Sequence, residues 1–401
     1  MNMLKLIRAG LLAVLLVACS VEISDVTPNA TAPLPTPFVS IITTVPPATA
    51  TATLTLTLAP PTPTSTSLAV TSNTSNTISL TPIPAPLPWA ALNLSGQLIY
   101  LNYLPALADS PLLIKLDLAS GQQTTLFQPP PTAWLVAARL SPDGKKFVLA
   151  YAPPVPAGQS QIGYTELYLM AADGSGALEP LVTRSQKKEA FFQPTWSPDG
   201  RYIYYIHTAP NATNTDFETG IERIAYPGGQ PEVIMSHAIW PRLSPDGSKL
   251  VYVAYDPANG VNDLYIADSD GQNPVPLMQP GTFLSVDAPV FTPDGGALLF
   301  SATGEGPAPA LSWLDRLFGV QSASANGAPS DWWSIELASR KLQRLTTISE
   351  TGLYGSFAPD GQYFAFVGYG GVYVMKPDGS NLMLLFETID VGPIDWIPPN
   401  Q

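Results

Sequence analysis

Of 401 residues one is cysteine and two are histidine, and only 12% are charged. With a lone cysteine, Cys19, a disulfide framework within the chain is excluded. Any metal or acid–base site has only His207 and His237 to draw on besides carboxylates. Basic residues are also scarce, 18 against 31 acidic, for a net charge of −13. A surface of that sign repels nucleic acid and anionic membranes, so a nucleic-acid role is excluded. No phosphate-binding P-loop and no dinucleotide fingerprint is present. The nearest approach to a nucleophile elbow, "GQSQI" at 158–162, lacks its closing glycine. No cofactor is therefore expected.

Long apolar runs are missing too. The longest near the start, "AGLLAVLLVA" (Ala9–Ala18), is too short to span a bilayer as a mature helix. It follows Lys5 and Arg8, and so reads as the core of a secretory signal peptide over residues 1–18. It ends in "LVAC", Leu16–Cys19, which resembles the lipobox of bacterial lipoproteins. That resemblance implies acylation of Cys19, a membrane anchor and an extracytoplasmic address in the cell envelope. From Val26 to Pro88 there is no charged residue, only a Thr-, Pro-, Ala- and Ser-rich tract. Such a composition has little to bury, and residues 19–88 read as a disordered stalk. Acidic and basic residues, except Lys5, Arg8, Glu22 and Asp25, all lie beyond it, so the net charge belongs to residues 89–401.

What is abundant in 89–401 is a repeat. "SPDG" stands at Ser141, Ser197 and Ser244, "TPDG" at Thr292 and "APDG" at Ala358, with the prolines 56, 47, 48 and 66 residues apart. Proline sets φ for the second turn position, aspartate bonds its own turn backbone, and glycine takes the positive φ that closes a bulged hairpin. Each turn is followed by a β-branched and aromatic run such as "KKFVLAY" or "SKLVYVAY", then by another strand and, in four of the five units, a second glycine turn. The units resemble the blades of TolB-type, WD-like β-propellers. The resemblance covers residues 89–401 and implies an all-β fold of four-stranded blades. Five complete blades can be counted. Before them, residues 95–127 supply only strands b, c and d of a blade. The missing strand a is expected from the tail "PIDWIPP" (Pro393–Pro399), whose register resembles "PTWSPDG". Six blades then close into a ring through the C-terminal strand.

Antiparallel connectivity places the a–b and c–d turns on one face and the b–c and d–a loops on the other. The second face receives the long connections 152–163 and 208–219 and an insert, 302–331, in the fifth blade. Long loops on a rigid scaffold are where binding concentrates. Within the insert, Leu311, Leu314 and Phe318 follow helical spacing with Trp313 beside them, which predicts a short amphipathic helix, either packed on the ring or docking a partner. His207, His237 and Asp287 map to strand ends on the same face and are the candidate polar residues there. "DSDGQN" (Asp268–Asn273) has calcium-loop composition but falls on a c–d turn and lacks the distal glutamate, so it reads as a turn. The sequence thus predicts a non-catalytic binding or scaffold module for a protein, peptide or glycan of the envelope. The alternative is a propeller lyase or hydrolase with a His/carboxylate or metal site at the channel mouth.

Overall fold

In the computed structural model, residues 78, 80–104, 108, 110–155, 164–256, 261–304, 328–389 and 392–399 are described. The signal peptide, Cys19 and nearly all of the stalk lie outside them. The described residues form six four-stranded antiparallel sheets. Blade 1 is built from β1 (Gln97–Asn102), β2 (Leu112–Asp117) and β3 (Gln123–Phe127), with β24 (Asp395–Ile397) as its innermost strand. Blade 2 runs through β4 (Trp134–Leu140), β5 (Lys146–Ala152), β6 (Glu166–Ala171) and β7 (Glu179–Val182). Blade 3 comprises β8 (Ala190–Trp196), β9 (Tyr202–Pro210), β10 (Phe217–Ala225) and β11 (Glu232–Ser236). Blade 4 contains β12 (Ala238–Leu243), β13 (Lys249–Asp256), β14 (Val261–Asp268) and β15 (Val275–Pro276). Blade 5 holds β16 (Ser285–Phe291), β17 (Ala297–Thr303), β18 (Asp331–Glu336) and β19 (Leu342–Arg344). Blade 6 closes with β20 (Tyr354–Phe357), β21 (Phe364–Gly368), β22 (Gly371–Met375) and β23 (Met383–Phe386).

Burial explains the order within a blade. The b strands read as continuous apolar runs because neighbouring blades cover both of their faces: β5 is buried at six consecutive positions and β21 throughout. The outermost strands β11, β15 and β19 have no buried residue. Aromatic side chains fill the seams, as where Trp332 of blade 5 meets Phe364 of blade 6 edge-on at 4.8 Å.

The repeated tetrapeptide does more than turn the chain. Ser141, Ser197, Ser244 and Thr292 each donate a hydroxyl hydrogen bond to the aspartate two residues on, at 2.5–2.7 Å. The same oxygen accepts the backbone N–H five residues on, at 2.9–3.0 Å. The serine hydroxyl, then the Arg201 N–H and side chain, hold the Asp199 carboxyl down at about 2. Gly200 sits at φ +70°, a region that a side chain disfavours.

The ring closes as the sequence predicts. β24 pairs antiparallel with β1, with Leu98 opposite Trp396 and Ile99 opposite Asp395. Trp396 donates its indole N–H to Ser95 O at 2.9 Å and its backbone N–H to Ser356 Oγ at 3.0 Å, joining blades 1 and 6. On the other side Arg139 of blade 2 forms an ion pair with Asp395 and donates to Ile394 O at 2.8 Å, while Leu140 N–H donates to Asp395 Oδ2 at 3.2 Å. Gly96 makes room for this strand: a Cβ there would stand 2.4 Å from Ile397 O. Ahead of blade 1, hydrogen bonds tie Ile78, Thr81 and Ile83 to Thr125, Gln123 and Gly121, along the blade's outer edge. Covering an edge in this way blocks pairing with another chain.

Candidate binding face and channel

Four innermost strands, β4, β8, β12 and β16, carry a one-residue bulge against their b strands. In blades 3 to 5 the bulge holds Gln193, Trp240 and Ala288 at φ +46°, +59° and +47°, each followed by proline. Bulges re-aim side chains and bend the strand. Here they allow Trp240 of blade 4 to meet Tyr354 of blade 6 at 5.2 Å, a contact that skips a blade. It therefore lies near the ring axis.

On the b–c and d–a face, the connection 208–219 proves shorter than the sequence suggests. β9 and β10 continue pairing out to Pro210 and Phe217, so only residues 211–216 are loop. The result is a protruding hairpin rather than a slack loop. Val155 and Thr132 bond each other across the base of the 152–163 loop, through Thr132 Oγ1. Trp313 and Phe318, with the rest of the expected helix, lie outside the described residues.

His207 lies inside β9, because that strand runs three residues further than its sequence pattern suggests. Its ring is fully engaged. Nδ1 is 2.7 Å from Glu222 Oε1 and Nε2 is 2.9 Å from Glu189 Oε1, while Phe191 stacks on the ring at 4.8 Å. A neutral imidazole would aim a lone pair at one of the two carboxylates, so this arrangement favours the doubly protonated ring. Burial opposes that charge, but Glu222 and Glu189 outweigh it and raise the pKa of His207. Glu189 is itself buried, which works against its ionisation. The N–H groups of Ser185 and Gln186, the Ser185 hydroxyl and His207 more than offset this and lower its pKa. Tyr205 completes the cluster by donating to Glu222 Oε2 at 2.9 Å.

His237 is exposed at φ +53° just before β12, its ring tilted 6.3 Å from that of Tyr255. Asp287 is 1% exposed, within the innermost strand β16. The side chains that surround His207 are Glu189, Glu222 and Phe191, not His237 or Asp287. Among the described residues no three His, Cys, Asp or Glu side chains are grouped to hold a metal ion.

A second set of carboxylates on this face is not among the sequence candidates. Glu166, Asp263 and Asp331 occupy the same register near the start of strand c, opposite Tyr151, Ala254 and Ala302. Each accepts N–H groups from the following d–a loop: Arg184 at 3.2 Å, Gly281 at 3.0 Å, and Ile348 and Ser349 at 2.7 and 3.3 Å. Their signal is legible once known, an acidic residue two before an aromatic in "ELY", "DLY" and "DWW". In blade 3 that register position is Gly220, opposite His207. Glu189, which ends the loop after blade 2, instead accepts N–H groups of that same loop from Ser185 and Gln186, and reaches blade 3 through His207.

These features define a six-bladed β-propeller with a closed ring and a loop face stiffened by largely buried carboxylates. TolB chains are among the solved structures similar to this one. TolB from Acinetobacter baumannii superposes with a TM-score of 0.53 at 17% identity, over 76% of this chain and 67% of that one. A chain of the nidogen/laminin complex gives 0.52 at 11% identity, over 75% and 97%. The putative TolB from Agrobacterium tumefaciens gives 0.49 at 19%, over 75% and 94%. At these identities the likeness shows the fold. No protein-family model and no curated protein matches the chain. Among the described residues no helix is long and apolar enough to cross a membrane.

Proposed function

We propose that this protein is an extracytoplasmic binding or scaffold module, anchored by lipid at Cys19, carried on the Thr/Pro stalk, and engaging a protein, peptide or glycan of the envelope through its b–c and d–a face. The observation that carries this reading is how the polar groups of that face are used. Glu166, Asp263, Asp331 and Glu189 each hold loop backbone N–H groups in place. Loops fixed before a ligand arrives lose little conformational entropy on binding, which is how a rigid scaffold gains affinity. The hairpin β9–β10 projects from this face as a preformed contact.

Affinity capture from envelope extract with the full chain tests the reading, alongside a variant in which Asn-Gly replaces residues 211–216. Loss of the captured ligand at an unchanged melting temperature supports the face assignment. A ligand held equally by both chains places binding elsewhere. For the anchor, Cys19→Ala is expected to move the protein out of the membrane fraction, and retention there would refute it.

A further inference from the structure

One residue per blade stands at a common register of the innermost strand: Asp395, Arg139, Thr195, Arg242, Val290 and Ser356. They face Ile99, Val148, Tyr204, Val251, Leu299 and Ala365 across the a–b ladders. This inner ring carries two arginines and a single carboxylate. Arg139 uses Nη1 for Asp395 and Ile394 O. Its Nη2 is buried with no hydrogen-bond partner among the described residues, on a side chain only 9% exposed. Arg242 Nη1 donates to Pro241 O at 3.0 Å. None of the arginine ion pairs among the described residues includes Arg242.

Arg242 stands on blade 4 yet feels the charges of Arg139, Asp395 and Tyr354, on blades 2, 1 and 6. Only the axis of the ring is common to those four. Burial first, and Arg139 second, pull the Arg242 pKa down to about 9, with Asp395 and Tyr354 acting the other way. A guanidinium held away from water without a counter-ion is costly, and the cost is recovered when an anion arrives. Arg242 keeps partial exposure as a residue, while its guanidinium is the desolvated part.

We propose that a carboxylate binds at the ring axis, between Arg242 and the unpaired Nη2 edge of Arg139. A forked guanidinium matches the two carboxylate oxygens in plane and spacing. One monovalent anion brings the ring of two arginines and one aspartate to neutrality, whereas a dianion overshoots it. Thr195, Val290 and Ser356 at the same level add no charge. The site lies on the axis rather than on the loops, so it stands whether or not the loop face engages a partner.

The test melts the purified full chain in sodium acetate and in sodium chloride at equal ionic strength. Acetate is expected to raise the melting temperature saturably, by roughly 2 °C at ten times its dissociation constant. Arg242→Gln is expected to abolish that increment, and Arg242→Lys, which keeps the charge but not the fork, to weaken acetate at least several-fold. An equal melting temperature of the wild type in the two salts overturns the proposal, as does an undiminished acetate increment in Arg242→Gln. Should Arg242→Gln not fold, saturable line broadening of labelled acetate by the wild type, weakened in Arg242→Lys, carries the same decision, and its absence overturns the site. Acetyl-Gly-Glu-Gly-amide and its Gln counterpart separate the two sources of the carboxylate. A larger shift from the Glu peptide than from acetate identifies an acidic side chain as the occupant, and the reverse order identifies a free organic acid.

Discussion

Two polar clusters hold this ring, and they do so by different chemistry. At the junction of blades 1, 2 and 6, Arg139, Asp395, Ser356 and Trp396 fasten a three-residue strand that has no covalent link to its own blade's b strand. In blade 3, Glu189, His207 and Glu222 fasten a loop to a blade whose strands are already consecutive. The first cluster closes the fold and contains no histidine. The second stiffens a surface and turns on the protonation of an imidazole. Closure thus depends on a guanidinium, while the loop face is tied to pH.

The largest expected effect breaks the first cluster outright. Removing residues 393–401 exposes the edge of β1 and unburies Ile394, Trp396 and Ile397, worth roughly 1.5–3 kcal/mol each. Against a domain stability of about 5–15 kcal/mol, an insoluble or unfolded product is expected. A soluble truncation melting like the full chain would show that closure contributes little.

A narrower cut leaves the strand and removes its charge. Asp395→Ala strands Arg139 in a buried site and is expected to cost about 3–5 kcal/mol, read from denaturant midpoints. Replacing Arg139 with Met as well is expected to recover much of that loss, because no unpaired charge remains.

The blade 3 cluster should respond to pH in a definite window. The His207 pKa is raised on folding, so its contribution is complete below its unfolded value of about 6.5 and is lost as pH rises through the folded value. The Glu189 pKa is lowered, so its contribution is present above about 4.3 and is lost as pH falls through its folded value. Stability from the cluster is therefore greatest between about pH 4.3 and 6.5. His207→Gln is expected to cost about 1–2 kcal/mol there, after allowance for its partial exposure, and less above neutrality. A mutant whose deficit is the same at pH 5.5 and pH 8.5 would remove the imidazolium from the account.

The smallest effect probes the repeat that both regions share. Ser197→Ala loses the hydroxyl that bridges Asp199 and the Tyr202 N–H, for about 1 kcal/mol. Ala358 already occupies that turn position in blade 6, and Ala358→Ser should restore the bridge and stabilise by a comparable amount if space at the 4% exposed site allows.

Much of this was legible in the chain. The PDG turns, the apolar b strands and the missing strand a led directly to six blades closed by "PIDWI", since each is a local pattern with a local physical cause. The candidate face was harder to read. His207 was visible as a rare residue, but its two glutamate partners lie 15 and 18 positions away and no spacing rule connects them. The 208–219 stretch reads as loop from its Thr, Asn and Asp content, yet the pairing of β9 with β10 overrides that propensity over half its length. Glu166, Asp263 and Asp331 escape sequence reasoning because one acidic residue two before an aromatic says nothing until three of them share a register.

The sequence alone determined the repeating unit, the number of blades and the residue that closes each turn, because turn chemistry and strand periodicity act over a few neighbours. Only the tertiary structure decided which charges meet. Arg139 and Asp395 are 256 positions apart, and Arg242 reaches the same axis from a third blade. The curvature of the ring brings them together, and that curvature is a property of six blades packed at once rather than of any segment of the chain.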